Sequence, residues 1–349
     1  MAEVHPGATN VYTPAFAQGA ASDQLVVEYS RKPDSFALNR YASLMPVSLS
    51  SGYYMRVSTE DAIRVVTPQD YEWPESNDRP RGKTRKHEFV QYTTRRYAEG
   101  FTVGRKTAEQ ATFDVIATHA RGAATTMMTL RSINAVSTLT ATGNWGANDV
   151  ADVTTLLTST DHWGTAGTTA ADNGVIQDSF QTISRTIHQG TGGVVGPKDL
   201  VCVISPTVAH AMRISQEMRA YVVNNESSLP YWMGTEIFQT YGLPPAIYGI
   251  EIVVEDAVRE SAREGATSSV AYALGNSAVF LARPGGQMLP DNSAEAFTLS
   301  TLTGFFYEEM SVELKEDEWQ RRNEGSVVDD YVYEITNSAS GYLIVDVLA

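Results

Sequence analysis

The stretch from Thr107 to Leu139 is the longest in this chain without proline or a strong turn cluster. Phe113, Ile116, Ala120, Met127, Leu130 and Ile133 recur in it at helical spacing, and Ala123 and Ala124 bridge the interval before Met127. An apolar stripe with a period near 3.6 and a Thr, Arg and Asp remainder predicts one amphipathic helix. At 1.5 Å per residue it would be roughly 50 Å long, more than the width of a small domain. The rest of the chain must be arranged along such a strut. Gly122 is expected to weaken or bend it, because glycine inside a helix costs about 1 kcal/mol against alanine. The Thr/Arg remainder makes up its polar face.

Before this helix the sequence reads as arms. Residues 1–24 are rich in Ala, Gly, Thr and Pro without periodicity, and read as an arm ordered only by a partner. Pro33 and Pro46 prevent a continuous helix in 25–50. Alternation around Tyr53–Val57 and again around Phe89–Arg96 predicts two strands. Between them lies YEWPESNDRPRGKTRK, a long polar excursion punctuated by Pro74, Pro80 and Gly82. Together they predict a two-stranded arm, which is marginal alone in water and must lie on another surface.

After the helix the text turns to mixed α and β. Residues 140–174 read as a surface-running loop anchored by Trp145 and Trp163. A second amphipathic helix is predicted over 175–189, with Ile176, Phe180, Ile183 and Ile187 on one face and Asp172 or Asn173 as its cap. Leu200–Ile204 reads as a buried strand, and Ser205-Pro206 as a helix start. Short helices follow over 207–215 and 216–224. Further strands are expected at 250–254, 271–274, 278–281, within 297–319 and within 327–347.

Little in the sequence suggests chemistry. The six histidines show no metal-ligand spacing, so no metal and no cofactor is expected. The single cysteine, Cys202, lies in an apolar run and reads as a buried small side chain. Gly190–Lys198 superficially matches a phosphate loop. Pro197 separates its glycine from Lys198, and a helix precedes it where a strand should, so it reads as a helix-to-strand connector. Glu308-Glu309 and Glu316-Asp317-Glu318 invite an acid/base reading, but no nucleophile accompanies them, and a solvated or salt-bridging face is the plainer reading. No enzyme is predicted. No secretory leader is visible, and no apolar run approaches the ~18 residues of a membrane span, so a soluble protein of a reducing compartment is expected.

Charge is patterned. The net charge is −15, a poor basis for wrapping nucleic acid, which requires phosphate neutralisation. Yet Arg79, Arg81, Lys83, Arg85, Lys86, Arg95 and Arg96 crowd the tip and returning strand of the predicted arm, while Glu308, Glu309, Glu313 and Glu316 gather near the C-terminus. The bland interpretation is two solvated faces; the sharper one is contact between subunits.

The order of parts resembles the tailed-bacteriophage major capsid protein with the Hong Kong 97-type fold. VCVISPTVAHAMRISQEMRAYV resembles the strand–helix opening of that family's axial domain. YGLPPAIYG, YGIEIVVEDAV and VAYALGNSAVFLARPGG resemble its loop and strands, and VVDDYVYEITNSASGYLIV the returning strands of its peripheral domain. The resemblance implies an α+β chain: an N-terminal arm over 1–51, an extended β-hairpin loop over 52–103, and a peripheral domain with the spine helix over 104–199. It continues with an axial domain over 200–300 and a return to the peripheral domain over 301–349. It also implies self-assembly as pentamers and hexamers into an icosahedral shell around double-stranded DNA, with scaffold, portal and decoration proteins as partners and no membrane. Assembly would occur in the host bacterial cytoplasm and the product would be the virion capsid. The arm is too short for a fused scaffolding segment, which implies a separate scaffold or none. Two alternatives stand beside this: an encapsulin-like nanocompartment shell, and a soluble α/β enzyme with an unread site.

Overall fold

The computed structural model describes residues 36–57, 72–73, 87–111, 114–157, 162–164, 174–260, 262, 267–283 and 300–348. A 3-10 turn at Ala37–Arg40 leads into β1 (Ser43–Pro46), β2 (Ser51–Val57), β3 (His87–Thr93) and β4 (Arg95–Gly104). Then come α1 (Arg105–Gln110), α2 (Val115–Thr140), β5 (Val150–Asp152), α3 (Val153–Leu157) and α4 (Val175–Gly190). β6 (Leu200–Ile204), α5 (Pro206–Ile214), α6 (Gln216–Asn224), α7 (Leu229–Trp232) and α8 (Glu236–Tyr241) follow. The chain continues through β7 (Ala246–Ile247), β8 (Ile250–Val254), β9 (Val258–Glu260), β10 (Val270–Tyr272) and β11 (Ala278–Ala282). β12 (Leu302–Asp317), β13 (Arg322–Ile335) and β14 (Tyr342–Val345) complete it. The arm expected over 1–24 lies outside the described residues.

The long helix starts later than its apolar period predicts. Asp114 takes the N-cap, its carboxylate accepting the Ala117 N–H at 2.9 Å. A local side-chain acceptor here outweighs the apolar period, and the preceding turn becomes the separate α1. The 26 residues of α2 span about 39 Å. The helix runs unbroken through Gly122, where an added Cβ would meet nothing within 4 Å. Its buried face is also rotated from the predicted stripe. Met127 is buried as expected, but Ile116, Ala120, Leu130 and Ile133 are only half-buried, while Ala123, Met128, Ser132, Ala135, Val136 and Leu139 face inward. Small side chains at 123, 132 and 135 let the helix approach β4 and β13 closely, so fit rather than hydrophobicity sets the contact face.

Two sheets organise the body. One has the order β1-β12-β13-β4, with β1 parallel to β12 and the other neighbours antiparallel. The other has the order β5-β14-β11-β6-β8-β7. It draws β5 and β14 from outside the 200–300 segment and mixes parallel and antiparallel pairs. β6 explains why a run of apolar residues was needed: Leu200, Cys202 and Ile204 enter one core, and Val201 and Val203 enter another on the opposite face. The first core holds α4, whose Ile176, Phe180, Ile183 and Ile187 are all buried as predicted. The second joins both sheets, the end of α2 and Trp145. Trp145 and Trp163 are both buried anchors. Ser205 caps α5 as its sequence suggests, accepting from Val208 N–H at 3.3 Å. The strand expected at 271–274 forms as β10 (Val270–Tyr272) and, among the described residues, pairs with β9 alone.

The cap of α4 differs from expectation. Asp172 and Asn173 lie outside the described residues, and Gly174 occupies the N-cap with φ +117°. The acceptor comes from α6. Glu217, buried, accepts the Ile176 and Gln177 N–H groups at 3.0 and 2.8 Å. A carboxylate suits the positive end of the helix dipole.

Candidate assembly surfaces

The hairpin root is held by aromatic residues. β2 and β3 pair antiparallel, with Tyr53 opposite Gln91 and Met55 opposite Phe89. Tyr54 and Tyr92 point the other way and stack on Phe305 of β12, ring centroids 5.3 and 4.7 Å away. The opposite face leaves Tyr53, Met55 and Phe89 exposed. The expected pair of strands is therefore present, but the second run ends at Thr93, and Arg95 and Arg96 open β4, which belongs to the four-stranded sheet; of residues 58–86, the loop between the two strands, all but 72–73 lie outside the described residues.

The seam between α2 and β13 is polar at its centre. Asp329 is fully buried and receives Arg131, whose Nη2 donates to Oδ1 at 2.8 Å. The guanidinium also lies over the Phe306 ring, 4.6 Å from its centroid. Asn134 Nδ2 donates to the Tyr331 hydroxyl at 2.8 Å. Burial pushes the Asp329 carboxyl above the usual carboxylate range, and Arg131 opposes that rise. Arg131 is thus not part of an outward polar face. The helix threonines 118, 125, 126, 129, 138 and 140 bond back to carbonyls four residues earlier in the helix or its cap. Sequence reading missed the seam because its partners lie far apart in the chain; the available signal was Asp329-Asp330 inside a run of strand formers.

A second buried polar contact ties the segment before β1 to the six-stranded sheet. Tyr41 donates to Glu255 at 2.6 Å, both nearly inaccessible to solvent. Burial first, then the Glu255 charge, holds the Tyr41 hydroxyl well above its ordinary pKa. Beside it, Glu251 receives both Arg40 and Arg283. None of these residues stood out in the sequence.

The predicted charged residues separate into three groups. Arg79, Arg81, Lys83, Arg85 and Lys86 lie outside the described residues. Arg96 and Glu308 come together within one chain at 3.3 Å, with Asp330 3.6 Å from Arg96. Glu316 meets Arg105 at 3.5 Å, a cation whose i,i+4 spacing to Glu109 was the available signal. Arg95, Glu309 and Glu313 are exposed. At the end of this ribbon Asp317 accepts the Trp319 and Gln320 N–H groups, and Trp319 is 97% exposed. Gly190–Lys198 connects α4 to β6, as its residue order suggested. Cys202 is buried, and burial raises its thiol pKa well above the ordinary value. No helix among the described residues is long and apolar enough to cross a membrane.

Neither a protein-family profile nor a curated protein matches the sequence. Solved structures do match. A phage-related protein from Bordetella bronchiseptica is 16% identical with a TM-score of 0.58, over 96% of this chain and 97% of that one. The capsid of the cyanophage P-SCSP1u matches at 11% identity and a TM-score of 0.56, over 98% of each chain. The mature capsid of bacteriophage PhiM1 matches at 12% identity and a TM-score of 0.53, over 92% of this chain and 89% of that one. The chain therefore has the fold of these phage capsid structures, in agreement with the architecture that the order of its parts implied.

Proposed function

We propose that the chain is the major capsid protein of a tailed phage, assembling as pentamers and hexamers into an icosahedral shell around double-stranded DNA. The observation that carries the reading is likeness to capsid structures along nearly the whole chain, not in one module. Physical features support it. The hairpin is rooted on the body while its outer face leaves Tyr53, Met55 and Phe89 in water, a surface suited to a neighbour. The role is structural rather than enzymatic. In this reading residues 1–51 are an arm, 52–103 the extended loop, 104–199 and 301–349 the peripheral domain, and 200–300 the axial domain. The basic stretch Arg79–Lys86 and Arg95 meet acids such as Glu309 and Glu313 on neighbouring subunits. Scaffold, portal and decoration proteins are the expected partners, and assembly takes place in the host bacterial cytoplasm. The acidic net charge limits trapping of DNA on the shell during packaging.

Electron microscopy of the purified protein tests this. Closed shells of uniform diameter are expected; monodisperse monomers across salt and pH would reject it. Shells that capture a cargo peptide and no portal or DNA would move the reading to a nanocompartment. Reversing charge at Arg81, Lys83, Arg85 and Lys86 should lower shell yield while leaving the subunit's melting temperature unchanged.

A further inference from the structure

We infer that Trp319, at the tip of the β12–β13 ribbon, docks into a hollow on the four-stranded sheet of a second copy. The inference rests on the self-assembly proposed above and names one contact that would carry it. Asp317 accepts the Trp319 and Gln320 N–H groups, and the Arg321 carbonyl accepts the Arg105 N–H at 2.9 Å, so the turn is fixed to the chain just past β4. The indole held out by this turn is 97% exposed. A docked tryptophan buries about 150–250 Å², and tryptophan is enriched where interfaces draw most of their binding energy. The hollow, of about 710 Å³, lies on the same sheet. Gly100 and Ser326 share one rung with Glu313, and Thr102 and Glu324 share another with Lys315. Alternation puts all six on one face. Their neighbours Phe101 and Val327 turn to α2 on the other.

The floor of the hollow points to a flat ring from outside. A glycine inside a strand weakens it and often marks the close approach of another group. Nothing within the subunit requires one at Gly100: its φ lies outside the left-handed region, and an added Cβ would meet only the Gly325 carbonyl oxygen, at 3.8 Å. Gly325, by contrast, lies under the Phe101 ring. Trp319 of the same chain does not fill the space, since it stands in water. The last rung of its ribbon, Asp317 with Arg322, is four residues from the rung of Gly100, about 13 Å. Charge agrees with a second copy as the source. At the tip Arg322 pairs with Asp317 and Glu324, and outside that pairing Glu318 and Arg321 flank Trp319. On the wall of the hollow Glu313 and Lys315 have no ion-pair partner among the described residues, and Glu99 and Glu316 point to the other face. Seating the tip sets Glu318 against Lys315 and adds Arg321 to the bases that reach Glu313. Thr102 and Ser326 offer hydroxyl acceptors for the indole N–H, which a buried tryptophan needs.

The test uses the full chain. Trp319→Ala removes the knob and Gly100→Leu fills the hollow. Each should reduce assembled particles, read by sedimentation, at least tenfold, with the melting curve of the unassembled subunit unchanged, because one residue stands in water and the other faces open space. A covalent readout keeps Trp319 in place. Glu318→Cys and Lys315→Cys are made in separate chains, mixed in equal amounts, assembled and oxidised with copper phenanthroline. A disulfide-linked dimer is expected on denaturing gels, with buried Cys202 unreactive. Normal assembly of Trp319→Ala, or no linked dimer from the assembled mixture, would overturn the docking and leave the capsid reading standing. If Gly100→Leu or Trp319→Ala melts early, the linked dimer decides. A linked dimer from a mixture that never closes into shells would instead sink the capsid reading and keep the docking.

Discussion

Replacing Arg131 by alanine should be the most damaging single change in the α2–β13 seam. The guanidinium is the counter-ion of a carboxylate that water does not reach. Removing one partner of a buried pair costs about 3–5 kcal/mol, since the other is left charged and uncompensated. Contact with the Phe306 ring is lost as well, worth about 0.5–2 kcal/mol. For 349 residues, unfolding entropy of about 2.1 cal/mol/K per residue converts a 4 kcal/mol loss into a fall of about 5–6 °C in the melting temperature. The assay is urea and thermal unfolding of the unassembled subunit followed by circular dichroism. The deficit should also depend on pH. Asp329 already titrates above its ordinary range because of burial, and loss of Arg131 raises it further. A carboxyl with a folded pKa above its unfolded value stabilises while protonated, and that contribution is lost as pH rises through the folded value. The deficit of Arg131→Ala should therefore be smaller near about pH 5 than near about pH 8. Adding Asp329→Asn should recover much of it. A coupling energy below about 1 kcal/mol in the double-mutant cycle, or a deficit that ignores pH, would refute this account.

His119 stacks on Phe101, and burial lowers its pKa. A base depressed in the folded state costs stability as pH falls below its unfolded value of about 6.5, so His119→Phe should flatten the acid side of the melting profile; an unchanged slope would exclude it as the source. Glu217→Ala should remove the cap of α4 and lower stability by about 1–2 kcal/mol in urea unfolding, with Glu217→Gln milder because one acceptor remains. Gly122→Ala should stabilise by up to about 1 kcal/mol, as alanine favours the helix and the site is open. Gly325→Ala should do the reverse by about 1–3 kcal/mol, its Cβ falling 2.2 Å from the Phe101 ring in the structure; equal melting temperatures for the two would contradict both.

What was legible in the sequence was what neighbours in sequence determine. The stripe Ile176, Phe180, Ile183 and Ile187 is buried as its spacing requires, and Ser205-Pro206 starts a helix because cap and first turn are adjacent. The β2–β3 pair was legible from alternation alone. Contacts decided by distant segments were not. Arg131 and Asp329 meet across 198 positions, and Glu217 caps a helix some 40 residues upstream. The rotated face of α2 has the same origin, because the sheet it packs on chooses Ala123 and Ser132 over bulkier neighbours. The charge pattern was visible, but the sequence could not separate Arg96, which bonds Glu308 within its own chain, from Arg95, which is left exposed.

The position of β14 has a consequence for timing. It lies inside the six-stranded sheet, between β5 and β11, and is made after every other strand of that sheet. Until residue 345 leaves the ribosome, β5 has no strand beside it and β11 has an open side. A partly synthesised chain therefore lacks a finished body on which to seat a neighbour. In the proposed shell, a neighbour would find that sheet finished only after residue 345 has emerged.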